Sequence, residues 1–209
     1  MTKVKICGIT NLEDAYLASS AGADALGFIF SRKSPRYVSK RKAGEIIQCL
    51  DPFLAKVGVF LDQEKQEVLD IASSLHLDIL QFHGKESPAY CHFFKPRFKI
   101  IKVFFPEDSP YEKKISGYKI DAFMFDIKHE QKSKGAKVLP AKAIKEVANL
   151  IKKGRRVIIS GGLNIENIGN VKKLRPYALD VASGVESMVG KKDSQLTKTF
   201  IKRTKYEVA

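Results

Sequence analysis

The 209-residue chain is predicted to be a single-domain α/β protein of the (β/α)8 TIM-barrel class. Three observations lead there. Short, nearly uninterrupted apolar runs alternate strictly with helix-like stretches, the pattern of parallel strands covered by helices. Eight such pairs occur in the chain, and eight is the number that suggests closure of a parallel sheet into a barrel. Two Ser/Gly-rich turns, within Val157–Leu163 (VIISGGL) and Leu179–Glu186 (LDVASGVE), follow the last two apolar runs, one βα unit apart. A doubly wound open sheet is the structural alternative. The turn after the first run, Cys7-Gly8-Ile9-Thr10, lacks the GxGxxG spacing of a dinucleotide site and so disfavours it.

Taken in order, Val4–Cys7 is a short strand, and Asn11–Ser20 reads as a helix with Asn11 as its N-cap. Ala21-Gly22-Ala23-Asp24 stops that helix, and Ala25–Phe30 forms the second strand. Further strands are predicted at Ala55–Phe60, Ile79–Phe82, Lys99–Val103, Ala122–Phe125, Val157–Ile159 and Ala178–Val181. Helices are predicted near 39–49, 64–75, 87–94, 108–118, 141–152, 165–174 and 193–205. No linker or composition break divides the chain, which implies one domain.

Composition narrows the function classes. Apolar content of 44% with 29% charged residues belongs to a globular protein. No apolar run approaches the roughly 20 residues of a membrane helix, and no signal-peptide core opens the chain, so a soluble cytoplasmic protein is expected. Cys7, Cys49 and Cys91 lie far apart without a CxxC or His/Cys cluster, which predicts free thiols, no disulfide framework and no metal site. The net charge of +14 raises the question of nucleic acid. The basic residues are spread in short groups such as Lys40-Arg41-Lys42, Lys152–Arg156 and Lys191-Lys192, where exposed helix faces and ends are expected. Without a stacking platform or binding motif, a solvated basic surface attracting a small anionic substrate is the favoured reading.

The glycine turns are the first candidate site. Backbone N–H groups at a strand–turn–helix junction lack internal partners and suit a phosphate, and glycine allows its close approach. Side-chain alternation supplies the second. Val4 and Ile6 share one face of their strand and Lys5 and Cys7 the other, while Phe123 and Phe125 oppose Met124 and Asp126. With the large apolar residues facing helices, Lys5, Cys7, Gln81, His83, Asp126 and Asp180 point inward, several at the carboxyl ends of strands where barrel active sites form. For Lys5 and Asp180 a structural ion pair between adjoining strands is as reasonable as a substrate role.

Together these segments resemble the phosphoribosylanthranilate isomerase family of tryptophan biosynthesis. The resemblance rests on VKICGITNLED at Val4–Asp14, GADALGFIF at Gly22–Phe30 with KSPRY at Lys33–Tyr37, VGVF at Val57–Phe60, QFHG at Gln81–Gly84, Phe125-Asp126, SGGLN at Ser160–Asn164 and DVASGVE at Asp180–Glu186. It implies a cofactor-free Amadori rearrangement of phosphoribosylanthranilate to 1-(2-carboxyphenylamino)-1-deoxyribulose 5-phosphate. It further implies Asp126 as general acid at the ring oxygen, Cys7 as general base at C2, and Arg36 against the anthranilate part. The phosphate falls to the backbone at Gly161, Gly162, Ser183 and Gly184, and Gln81 and His83 belong to the mouth of the site. An acid must carry its proton, so a partly desolvated Asp126 is expected, and a basic, partly exposed setting beside Lys5 is expected for the Cys7 thiolate. The segment Glu130–Pro140 (EQKSKGAKVLP) departs from the family's glycine-rich sixth loop, which predicts an altered loop on an active enzyme. A monomer or homodimer with a small phosphosugar substrate is expected. Other phosphosugar isomerases or epimerases on the same barrel, and a non-catalytic protein binding anionic ligands or nucleic acid, are the competing readings.

Overall fold

The computed structural model describes residues 1–127 and 139–206. Eight parallel strands, β1 Lys3–Cys7, β2 Ala25–Ile29, β3 Ala55–Phe60, β4 Ile79–Phe82, β5 Lys99–Phe104, β6 Ala122–Phe125, β7 Val157–Ile159 and β8 Ala178–Val181, pair in sequence order, and β8 closes onto β1. Between and after them run α1 Leu12–Ser20, α2 Lys40–Ile47, α3 Lys65–Ser74, α4 Pro88–Phe94, α5 Tyr111–Ile115, α6 Ala141–Lys152, α7 Ile168–Lys172 and α8 Ser194–Lys205. The predicted (β/α)8 barrel is thus the observed fold, and no described helix is long and apolar enough to cross a membrane.

Local chemistry explains where the helices begin. The Asn11, Ser39, Ser87 and Asp193 side chains each accept from a backbone N–H in the first turn of α1, α2, α4 and α8, satisfying donors that the helix itself leaves open. The single helix expected over 108–118 is instead a 3₁₀ turn at Pro106–Asp108 followed by α5. Pro110, which lacks an N–H, separates the two. The helix expected from residue 165 begins only at Ile168. Asn164 Oδ1 accepts from the N–H groups of Glu166 and Asn167 at 2.9 and 3.0 Å, and this side-chain bonding holds a turn ahead of the helix. A short antiparallel pair, β9 Glu186–Met188 and β10 Lys191–Lys192, follows β8 and was not anticipated.

Strand alternation divides the core into two layers. Val4, Ile6, Phe28, Phe60, Phe82, Phe104, Phe123 and Phe125 turn outward into one continuous cluster under the helices. Ile101, Val103, Met124 and Ile158 turn inward and fill the barrel from below. Above this apolar plug the inward positions become polar, and that change of chemistry marks the end where a ligand can be received. Not every buried charge faces inward. Lys102 lies among the outward residues of β5, where its ammonium pairs with buried Glu86 at 3.3 Å and donates to the Gly84 and Val103 carbonyls at 2.7 and 2.9 Å.

Candidate active site

Closure of the barrel sets the first contact. In the β1–β8 register Lys5 stands opposite Asp180, and Lys5 Nζ donates to Asp180 Oδ1 at 2.7 Å, both residues almost wholly buried. The ion pair foreseen as one alternative is therefore present. Burial acts to lower the Lys5 ammonium, but Asp180 and Cys7 beside it outweigh that and hold it above its ordinary value. Gly27, the β2 partner of Cys7, keeps room for both side chains. A Cβ there would lie 2.7 Å from Cys7 Sγ and 2.8 Å from Lys5 Nζ.

Cys7 ends β1 and is 5% exposed, so the partly exposed setting expected for it is corrected. Burial pushes the Cys7 thiol up from its ordinary value, and the Lys5 ammonium opposes this without overcoming it. The basic neighbour is present, but desolvation of a thiolate at this depth is the larger effect.

From Asp180 the polar contacts continue around the barrel. The Ser160 hydroxyl, just past β7, donates to Asp180 Oδ2 at 2.9 Å and lies 3.3 Å from Asp126 Oδ2. Asp126, just past β6 and buried, accepts at Oδ1 from the N–H of Ile127 at 2.6 Å. His83 Nε2 lies 3.8 Å from Asp126 Oδ2, and Gln81 Nε2 lies 3.2 Å from His83 Nδ1.

These groups floor a cavity of about 270 Å³ lined by Cys7, Arg36, Gln81, His83, Asp126, Ser160, Gly161, Gly162, Asp180 and Ser183, among others. Lys5 lies beneath it. Gly161 and Gly162 have φ of 86° and 67°, a region that favours glycine, and the SGGL turn depends on it. Among the described residues the N–H groups of Gly161, Gly162 and Leu163 have no hydrogen-bond partner, so three donors remain for an anion. Gly184 is set back from the cavity. A Cβ on it would fall 1.8 Å from the Leu163 carbonyl oxygen, so its bare backbone allows the two glycine turns to pack together. Arg36 comes from the β2–α2 loop and lines the opposite side of the Cys7 strand end. Its guanidinium forms a two-point pair with Glu186, Nε to Oε1 at 2.8 Å and Nη2 to Oε2 at 2.7 Å.

Of the residues singled out from the sequence, Cys7, Arg36, Gln81, His83, Asp126, Gly161, Gly162, Asp180 and Ser183 line the cavity and Lys5 and Gly184 do not, while four others join the surroundings of the site. Ser160 was visible in the alternation, two positions beyond inward-facing Ile158, as was Gly27 beside Cys7. Glu186 and Lys192 depend on the β9–β10 turn, which carried no clear signal. Lys192, expected on a solvated basic surface, is 4% exposed, because its ammonium turns inward to backbone carbonyls and to Glu186. The divergent segment Glu130–Pro140 falls, at 130–138, outside the described residues. A second cavity of about 670 Å³ adjoins the first along Leu61 and His83. Cys49 and Cys91 are free thiols, as the sequence predicted, and neither lines the cavity.

Comparison with known proteins identifies the family of the chain. The sequence model of N-(5'phosphoribosyl)anthranilate (PRA) isomerase matches residues 4–203. An N-(5'-phosphoribosyl)anthranilate isomerase of Geobacter sp. (strain M21) is 41% identical over 219 residues, covering 98% of each chain. The crystal structure of phosphoribosyl anthranilate isomerase from Thermus thermophilus superposes with a TM-score of 0.87 at 39% identity, covering 97% of this chain and 98% of that one. A further isomerase structure, solved in complex with reduced 1-(o-carboxyphenylamino)-1-deoxyribulose 5-phosphate, gives 0.82 at 36% identity, covering 98% and 99%. On the strength of its full-length sequence match and its fold, the chain belongs to the N-(5'-phosphoribosyl)anthranilate isomerase family.

Proposed function

We propose that this cavity carries out the Amadori rearrangement of phosphoribosylanthranilate, with Cys7 as general base and Asp126 as general acid. The observation that carries the reading is the order of groups around the barrel end. Asp126 follows β6, the SGGL turn follows β7, Ser183 follows β8, Cys7 ends β1, and Arg36 comes from the loop after β2. A phosphate held at the glycine turns is thereby flanked by the acid on one side and the base on the other, and an aromatic carboxylate reaches Arg36 beyond Cys7. Fixing both ends of the substrate in this way presents its ribose carbons to both groups.

The proton movements balance. Asp126 gives its proton to the furanose oxygen as the C1–O bond breaks, leaving a Schiff base between C1 and the anthranilate nitrogen. The Cys7 thiolate removes the proton on C2, and the electron pair forms the C1–C2 double bond as the C1=N π pair returns to the protonated nitrogen, giving the enolamine. Gain of a proton at C1 and loss of the C2 hydroxyl proton then yield the aminoketose, and proton exchange through solvent restores Cys7 and Asp126. Ser160 suits this cycle: while donating to Asp180 it can accept from a protonated Asp126. No metal or cofactor enters any step. A phosphorylated substrate, which does not cross membranes unaided, fits the cytoplasmic setting included in this reading.

Freshly generated phosphoribosylanthranilate, followed by the loss of its fluorescence, tests the assignment. Rapid, enzyme-dependent loss is expected. A folded protein without turnover on this substrate, but active on another phosphosugar, would overturn it.

A further inference from the structure

Glu186 closes the SGVE segment and takes no part in the chemistry above. Its carboxylate, with a side chain 4% exposed, receives Arg36 on both oxygens, and Oε1 also accepts from Lys192 Nζ at 2.9 Å. Lys192, whose side chain is fully buried, extends to the Cys7 carbonyl at 2.7 Å and the Ala182 carbonyl at 3.2 Å. Two cations thus share one anion, and one positive charge of the cluster is left unbalanced at the cavity wall. The two-point pair fixes the guanidinium plane and occupies two of its five N–H donors, leaving three for a ligand. The Arg36 stem lies on bare backbone at Gly8, whose φ is 76° and where a Cβ would come within 2.7 Å of Arg36 Cδ. The turn that carries Glu186 and Lys192 is itself pinned to the start of α1. Lys192 N donates to Asp14 Oδ2 at 2.8 Å, and Thr10 Oγ1 donates to the Gly190 carbonyl at 2.6 Å.

We infer that Glu186 and Lys192 are positioning residues for Arg36. Glu186 holds the guanidinium in the plane that meets the substrate carboxylate, and Lys192, by sharing Glu186, keeps Arg36 from being neutralised by its own anchor. The inference rests on the reading of Arg36 as the carboxylate contact. Although burial acts to raise the Glu186 carboxyl, the Arg36 and Lys192 cations hold it below the usual carboxylate range, in keeping with an anion that serves both.

A double-mutant cycle on KM and kcat separates the possibilities. Arg36→Met is expected to raise KM by about tenfold to a hundredfold, the loss of a charge-assisted contact, with a smaller change in kcat. Glu186→Gln, close to the original shape, is expected to raise KM several-fold in the wild-type background and to add nothing in the Arg36→Met background. Lys192→Met is expected to raise KM in the same Arg36-dependent way, and Glu186→Asp to recover part of what Glu186→Gln loses. Should Glu186→Gln multiply its full effect onto Arg36→Met, the residue acts independently of Arg36 and the inference fails while the site reading stands. An unchanged KM in Arg36→Met alone overturns the carboxylate reading and the inference with it. A thermal melt of each variant accompanies the kinetics. If Lys192→Met does not fold, the Glu186 and Arg36 variants still decide the outcome.

Discussion

Lys5 Nζ lies 2.7 Å from Asp180 Oδ1 across the seam where β8 closes onto β1. The same ammonium opposes the effect of burial on the Cys7 thiol. One ion pair therefore joins the closure of the barrel to the chemistry of its proposed base, and the two consequences are separable by experiment.

Lys5→Met leaves the Asp180 carboxylate buried without its cation. Breaking one side of such a pair costs about 3–5 kcal/mol, measurable as a loss of unfolding free energy in denaturant. The Cys7 thiol loses the cation that counters desolvation and moves further up. At neutral pH a smaller fraction is then thiolate, so kcat/KM is expected to fall and the ascending limb of its pH profile to shift to higher pH. A variant that keeps the wild-type profile would show that Lys5 has no part in setting the thiol.

Glu186 links stability to pH on the acid side. Its folded carboxyl lies below the ordinary range of about 4.3, so its contribution is fully present above that value and is lost as pH falls through the folded pKa. Thermal melts of the wild type and Glu186→Gln from pH 7 downward are expected to converge as the acid is added. Curves that stay parallel to the lowest pH would contradict the linkage.

Gly161 combines a φ of 86° with close neighbours. A Cβ there would lie 2.7 Å from Asp126 Oδ1 and 2.8 Å from the Ile127 backbone nitrogen. Gly161→Ala is expected to cost about 1–3 kcal/mol of stability from backbone strain and, on the proposed roles, to lower kcat by displacing the Asp126 carboxyl and to weaken phosphate binding at the turn. Gly154→Ala is the control: φ is 75° there, but no atom lies within 4 Å, so only the stability loss is expected. Equal kcat effects at the two positions would contradict a steric role at Asp126.

Much of this was legible because a strand has a period of two. Once Val4 and Ile6 are assigned to the helix side, Lys5 and Cys7 must enter the barrel, and the same step places Asp126 and Asp180. Apolar runs delimited the strands closely because both faces of a parallel sheet are covered. Helix ends were less legible where side chains compete with the backbone, as Asn164 does ahead of α7, or where a proline interrupts, as Pro110 does ahead of α5. The Arg36–Glu186–Lys192 cluster was hidden for a different reason. Its members are 150 and 6 residues apart in pairs, and only the β9–β10 turn brings them together. Lys192 in particular stands beside Lys191 in a pair that reads as surface charge. The Cys7 thiol was misjudged because a basic neighbour is visible in sequence, whereas the depth of its burial is not.

The most direct test of the account compares kcat on freshly generated phosphoribosylanthranilate for the wild type, Cys7→Ser and Asp126→Asn, alongside the affinity of each for reduced 1-(o-carboxyphenylamino)-1-deoxyribulose 5-phosphate. Loss of a positioned acid or base typically costs about 10²–10⁴-fold. The account predicts a fall of at least that size in both variants, with analogue affinity within a few-fold of wild type because the glycine turns and Arg36 are untouched. Near-wild-type kcat in either variant would contradict the roles assigned to Cys7 and Asp126.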